Sequence, residues 1–365
     1  MADIQTYLEQ FDDKIRLKRL KENKELIEKR DIILNKLRER FELMREGEDG
    51  EDGEEGMDIP FFAFINQGSY EMGTGIHPAE GQDYDIDVGL TFNAAKADYP
   101  NPVTLKSLVA DALEDHTDLG TEVRRSCVTI KYKRDGEQAF HVDLAVYTYD
   151  DPKSAAKRLH IAKGKVGSGD KDRYWEESDP EGLALWVEQR FKDREQEQFL
   201  RVIRALKRWK TEKFKTDGQN APSGIGLTVA AGQWFQPNII TSDAFAARRK
   251  PDDLTAMRGF VAKLVNAFYH VGSKQDGTPL YRLDVKVPVA PWKDIFVKMT
   301  DGQMTTFRDR LIQLRDQLDK AMQQPDPVEA CKLMRDQFGP EFPVPDKSST
   351  GSKASPAIIS AATSA

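Results

Sequence analysis

Ile4, Leu8, Phe11 and Ile15 recur at intervals of three and four residues, and so do Ile33, Leu37 and Phe41. That spacing lays an apolar stripe along a helix. It predicts one long, charged helix over residues 3–45, spanning more than one part of the molecule. The period then shortens. Phe61-Phe62-Ala63-Phe64-Ile65 is a continuous apolar run of strand length, and residues 84–92, 123–133 and Phe140–Tyr147 also read as strands, with Val128, Ile130 and Tyr132 alternating on one face. Residues 103–117 predict a helix packed on that sheet. From Glu181 onward helices dominate, at about 181–215, 222–235, 252–271, 303–323 and 327–338. In the first of these Phe199, Ile203 and Leu206 form the buried stripe. Arg201, Arg204, Lys207 and Arg208 fall on overlapping faces of the same helix, a spacing that ordinarily marks a solvated basic face.

The pattern divides the chain into a long N-terminal helix (1–45), an acidic loop (46–58), a core of strands and helix (59–165), a helical C-terminal lobe (166–345) and a flexible tail (346–365). The fold class is α+β, with a mixed sheet and a helical lobe bridged by the N-terminal helix. With 365 residues the chain suits one large bilobal unit or two domains. No apolar run approaches the ~20 residues of a membrane helix, and Met1-Ala2-Asp3-Ile4-Gln5 does not read as a signal peptide. Two cysteines without a disulfide framework fit the reducing cytoplasm.

Charge changes the picture once it is located. The formal balance is −7, yet residues 46–58 alone carry eight acids and no base. This Gly-and-acid stretch reads as a solvated loop. The rest of the chain is close to neutral and lacks the basic excess of a duplex-binding protein.

The chemistry concentrates in three short segments: Gln67-Gly68-Ser69-Tyr70, Asp83-Tyr84-Asp85-Ile86-Asp87 and His141-Val142-Asp143-Leu144. Alternate strand residues share a face, so Asp85 and Asp87 emerge together while Ile86 and Val88 enter the core. Converging carboxylates repel unless cations lie between them, and hard oxygen ligands suit Mg²⁺. A calcium loop starting at Asp83 fails, because its sixth position is Val88 rather than glycine and its twelfth is Ala94 rather than glutamate. An edge strand charged to discourage pairing is the other bland explanation. The neighbouring Gly68-Ser69 turn and the later acid on an apolar strand weigh against it. Lys163-Gly164-Lys165-Val166-Gly167-Ser168-Gly169 misses the phosphate-loop pattern, since Gly169 is followed by Asp170. His77, His116, His141, His160 and His270, with Cys127 and Cys331, show no zinc spacing.

Together these motifs resemble the cGAS/DncV-like nucleotidyltransferases, bacterial synthases of cyclic di- and trinucleotides built on a polymerase-β-type core. The resemblance spans about residues 60–345. Gln67-Gly68-Ser69 followed by Asp85-Ile86-Asp87 matches the family's first active-site segment, and His141-Val142-Asp143 matches its third acid. Arg204-Ala205-Leu206-Lys207-Arg208-Trp209 looks like the helix whose lysine holds a triphosphate, and Pro222-Ser223-Gly224-Ile225 like the turn whose serine joins it. Arg173–Pro180 is similar to the cyclic GMP–AMP synthase branch, where Ser178 falls at a base-pocket position.

The resemblance implies Asp85, Asp87 and Asp143 as catalytic ligands of two Mg²⁺ ions, with Mn²⁺ able to replace them. It implies Gln67, Gly68, Ser69, Lys207, Ser223 and Ser178 as nucleotide-binding residues. Asp83 lies too early for the pattern. The implied substrates are ATP and GTP, and the implied product is a cyclic second messenger of anti-phage (CBASS) signalling. A linear nucleotidyltransferase, resembling oligoadenylate synthetases or protein-nucleotidylating enzymes, is the alternative. There is no Cys/His cluster like the zinc thumb of the animal DNA sensor, so no DNA activator is expected. Family members are often encoded beside ubiquitin-like conjugation enzymes, and Ser348–Ala365 would suit attachment through its C-terminus.

Overall fold

The structure is a computed structural model and describes residues 2–18, 24–47, 56–78, 84–134, 137–214, 220–241 and 249–346. The acidic stretch 48–55, Asp83 and the tail from residue 347 lie outside the described residues.

Rather than one helix over 3–45, the N-terminal region forms two, α1 (Gln5–Ile15) and α2 (Lys24–Glu46). The break has a local cause. Arg16 turns extended and pairs with Ile76, while the Leu17 N–H donates to the Gly75 carbonyl at 3.1 Å and the His77 N–H to the Ile15 carbonyl at 2.7 Å. Backbone groups that a continuing helix would bond internally are bonded instead to a distant loop.

The chain continues through β1 (Phe62–Asn66), a single helical turn α3 (Gly68–Glu71), β2 (Tyr84–Ala95), α4 (Val103–Ala112), β3 (Thr121–Val123), β4 (Val128–Arg134), β5 (Glu137–Tyr149), β6 (Leu159–Lys163) and β7 (Tyr174–Glu177). These seven strands make one mixed sheet of order β1-β2-β5-β4-β3, with β6 joining β5 and β7 joining β6. Only the β2–β5 pairing is parallel. The sheet therefore runs to Glu177, and the helical lobe begins near residue 180 rather than at 166.

Alternation decides which side of the sheet is chemical. Ile86, Val88, Leu90 and Phe92 of β2 and Val142, Leu144 and Val146 of β5 are buried against Ile33, Leu37 and Phe41 of α2 and Leu105 and Val109 of α4. Each such side chain contributes ~1.5–3 kcal/mol on leaving water. The residues between them, Asp87 and Asp143 included, are driven to the opposite face. Arg30 of α2 ties this layer to the end of β1, donating to Asn66 Oδ1 at 2.9 Å just before Gln67.

The helical lobe comprises α5 (Pro180–Glu188), α6 (Asp193–Lys213), α7 (Gly224–Trp234), β8 (Ile239–Thr241), β9 (Arg249–Pro251), α8 (Asp253–Ala267), β10 (Tyr269–Ser273), β11 (Pro279–Arg282), α9 (Asp301–Gln323) and α10 (Pro327–Phe338). The stripe Phe199, Ile203 and Leu206 of α6 is fully buried in its core. So are Leu8, Phe11 and Ile15 of α1, with the Phe11 ring 5.6 Å from Phe338 and 5.1 Å from Phe342. The two N-terminal helices thus serve different lobes, α1 the helical one and α2 the sheet.

A buried ion pair fastens α1 to α6. Arg204 Nε and Nη2 meet Asp12 Oδ1 and Oδ2 at 2.6 and 2.7 Å, and Arg204 Nη1 donates to the Gly73 carbonyl at 2.7 Å. Both side chains are largely excluded from water, so removing one partner strands a charge. Asp12→Ala is expected to destabilise the protein by ~3–5 kcal/mol, read from urea unfolding. A loss below about 1 kcal/mol, the level of an exposed pair, would show that the contact is not a structural anchor.

Candidate active site

The site forms where the carboxylate face of the sheet meets α6 and α7. In the parallel β2–β5 pair Asp87 stands in register with Asp143, and Asp85 with His141. Paired strands lie ~4.8 Å apart, so Asp87 and Asp143 are immediate neighbours on one face. The backbone of Asp85 places it two residues before Asp87 on the same strand, and its side chain lies outside the described residues.

Asp143 is held by its other neighbour. Thr129 of β4, in register with Asp143, donates its hydroxyl to Asp143 Oδ1 at 2.6 Å. Nothing in the sequence marks Thr129, because a β-branched residue in an alternating strand is ordinary.

The Gln67-Gly68-Ser69 turn closes over Asp87. Gly68 has φ +76°, and a Cβ there would lie 2.0 Å from Asp87 Oδ2. Only glycine allows both the left-handed backbone and that approach. The predicted helix start is a single four-residue turn, so any help it gives an anion comes from local N–H groups rather than a long helix dipole. Behind it, the Tyr147 hydroxyl donates to Gln67 Oε1 at 2.8 Å, which leaves the amide NH₂ of Gln67 as its donor. Burial raises the Tyr147 phenol, with Asp87 adding to the effect and contacts to Ser178 and Gln67 opposing it. Ser178 is thus a neighbour of cleft-lining Tyr147 and does not itself line the cleft.

The opposite wall is α6. The basic residues there are not a solvated face. Arg204, Lys207 and Arg208 are all buried. Lys207 Nζ donates to both the carbonyl and the Oγ1 of Thr74 at 2.9 Å. Burial pushes this amine down to about 7, Lys210 and Arg204 push the same way, and Asp87 opposes them. Gly224, at the start of α7, packs on the lysine stem, and a Cβ there would come 3.4 Å from its Cε. Ser223 caps α7, accepting from the Gly226 N–H at 3.1 Å, and stands exposed beside cleft-lining Gly224 and Ile225.

Between these walls lies a cleft of about 560 Å³ lined by Gln67, Gly68, Ser69, Asp87 and Tyr147 on one side and Lys207, Lys210 and Gly224 on the other. That volume suits a nucleotide-sized ligand. Among the described residues no three His, Cys, Asp or Glu side chains converge as a complete metal site. Asp87 and Asp143 nevertheless form a half-site of hard oxygen ligands. Their in-register placement fits divalent cations, which would relieve the repulsion between adjacent carboxylates.

Comparison with known proteins bears on the fold that carries this site. Residues 62–147 match the family model described as cyclic GMP-AMP synthase DncV-like, nucleotidyltransferase domain. The match covers β1 through most of β5, and so includes Gln67, Gly68, Ser69, Asp85, Asp87 and Asp143. The chain is also similar to the crystal structure of Vibrio cholerae DncV, a cyclic AMP-GMP synthase described as a prokaryotic cGAS homolog, with TM-score 0.68 and 19% identity over 94% of this chain and 98% of that one. The same synthase in complex with the linear intermediate 5′ pppA(3′,5′)pG matches at TM-score 0.64 and 18% identity, over 93% and 96% of the two chains. Bradyrhizobium diazoefficiens CdnG in complex with GTP, a CD-NTase, matches at TM-score 0.62 and 16% identity, again over 93% and 96%. At these identities the structural likeness establishes a shared polymerase-β-like fold with a helical lobe. Residues 62–147 thus match a DncV-like nucleotidyltransferase domain, set within a chain that shares the DncV fold.

Proposed function

We propose that this protein joins NTPs, with ATP and GTP as substrates, by divalent-metal-dependent nucleotidyl transfer and closes the product into a cyclic di- or trinucleotide, the signal of a CBASS anti-phage system. One observation carries the reading. Asp87 lines a cleft whose other wall presents buried Lys207, and Asp143 stands in register with Asp87 on the same sheet face.

Two Mg²⁺ ions, or Mn²⁺ in their place, would be held by Asp85, Asp87 and Asp143 and would supply charge neutralisation at the triphosphate and a more acidic acceptor hydroxyl. The protein's own part is chiefly orientation. Gly68 and Ser69 offer close backbone approach to a phosphate, and the Gln67 amide, turned by Tyr147, offers an N–H donor. Lys207 contributes a positive charge to the triphosphate and Ser223 a hydroxyl. The acceptor hydroxyl oxygen bonds to the α-phosphorus, pyrophosphate leaves with the broken P–O bond, and the hydroxyl proton passes to solvent. A second transfer, with the linear intermediate turned in the cleft, closes the ring. The cytoplasm is the proposed setting, since it holds the NTP pool. No described helix is long and apolar enough to cross a membrane. The conjugation of the C-terminus that the resemblance implies concerns residues outside the described ones.

The test is incubation with the four NTPs, α-phosphate labelled, and Mg²⁺, followed by phosphatase. The expected result is product that keeps all of its label, because a ring has no terminal phosphate. A product that loses its 5′ label and keeps only the internal phosphodiester would show linear transfer instead, and label released wholly as inorganic phosphate would show that no nucleotides are joined.

A further inference from the structure

We propose that Thr129 is a positioning residue for this reaction, its hydroxyl setting the carboxylate of Asp143 for transfer. The inference rests on the nucleotidyl-transfer reading and adds a residue to it. Val128 and Ile130 enter the core beneath the sheet, so the pleat aims Thr129 at the opposite face, directly across from Asp143. Thr129 is fully excluded from solvent, and its bond to Asp143 Oδ1, at 2.6 Å, has the length of a charge-assisted O–H···O⁻ contact.

The hydroxyl has a single proton. With that proton given to Asp143, its oxygen can only accept, and the neighbour within reach is the Cys127 thiol at 3.7 Å on the same strand face. A directional chain results, thiol to hydroxyl to carboxylate. The β-branch of threonine restricts its rotation, so the hydroxyl is fixed before any ligand arrives. A valine would fill this buried strand position equally well, as its neighbours Val128 and Ile130 do. What valine would lose is the donor. Partners that orient a metal-ligating carboxylate in this way typically change metal affinity or activity by roughly 10–100-fold when removed.

The experiment compares Thr129→Val, which keeps the shape, with Thr129→Ser, which keeps the hydroxyl. Turnover of NTPs is measured, and so is Mn²⁺ binding, by the free-ion electron paramagnetic resonance signal in the presence of a non-hydrolysable NTP. In T129V kcat should fall roughly 10–100-fold and Mn²⁺ affinity by about tenfold, with the KM for NTP within about twofold of the parent, because Thr129 does not touch the cleft wall that holds the nucleotide. T129S should recover both quantities. Parental kcat and Mn²⁺ affinity in T129V would overturn the proposal, as would a T129S as impaired as T129V. If T129V fails to fold, Thr129→Cys, a weaker donor of similar size, replaces it. An intermediate loss then supports the role and parental behaviour refutes it. The metal-binding arm needs no turnover, so an inactive parent protein would count against nucleotidyl transfer while Thr129 was still judged on Mn²⁺.

Discussion

Asp143→Asn is expected to abolish nucleotide joining, by about a thousandfold or more, without weakening the fold. The loss should exceed that of a single transition-state hydrogen bond, which is worth ~10²–10³, because an amide cannot supply the anionic oxygen that divalent ions require. The Asn side chain keeps an Oδ1 that can accept from Thr129, so the strand register and the buried hydroxyl remain satisfied. Replacing one of two adjacent carboxylates also removes repulsion in the metal-free protein. The melting temperature without metal should therefore be no lower than the parent's. Asp87→Asn should behave alike. Turnover within tenfold of the parent in either variant would remove these acids from the chemistry, and a collapsed melting temperature would make their role structural.

Lys207 carries the second large effect, and it comes with a pH signature. Its amine is pushed down to about 7, first by burial and then by Lys210 and Arg204 against the opposing pull of Asp87. A bound triphosphate favours the charged form and so raises that value. Above about pH 7, then, binding must take up a proton, and the apparent Kd should rise with pH by up to tenfold per unit until the pKa of the complex is reached. Below about pH 7 the lysine is already charged and this dependence disappears. Calorimetry at pH 8 in buffers of different ionisation enthalpy should register uptake approaching one proton per NTP. Lys207→Met keeps the stem against Gly224 and removes the charge. It should weaken NTP binding roughly ten- to a hundredfold at pH 7, the span of ~1.5–3 kcal/mol for a hydrogen bond to a charged group, and flatten the pH dependence. The same proton uptake in parent and variant would assign it to another group.

The strands of the active-site face could be read from the sequence because burial there is one-sided. Ile86 and Val88 alternate with Asp85 and Asp87, and Val142 and Leu144 flank Asp143, so period two exposes both core and carboxylates. The stripe of α6 was legible for the same reason at helical period. What period could not show was long-range bonding. The apolar spacing across residues 3–45 gives no hint that Arg16 leaves the helix to pair with Ile76. β6 to β11 are three to five residues long, too short for a periodic signal. Basic spacing in α6 looks solvated until Arg204 is seen to meet Asp12, 192 residues away, and Lys207 to meet Thr74. Ser178 matched a base-pocket position by motif, and its contact with cleft-lining Tyr147 is a pairing that the motif alone does not show. Thr129 left no mark because its importance lies wholly in what stands opposite it.

The central question is whether these residues make and close phosphodiester bonds. Mass spectrometry of the product formed from mixed NTPs and Mg²⁺ is the most direct measurement. The expected species has the mass of linked nucleoside monophosphates with no terminal phosphate, present with the parent protein and absent with Asp143→Asn. Only linear products bearing a 5′-triphosphate, or the ring appearing equally with Asp143→Asn, would contradict the proposed function.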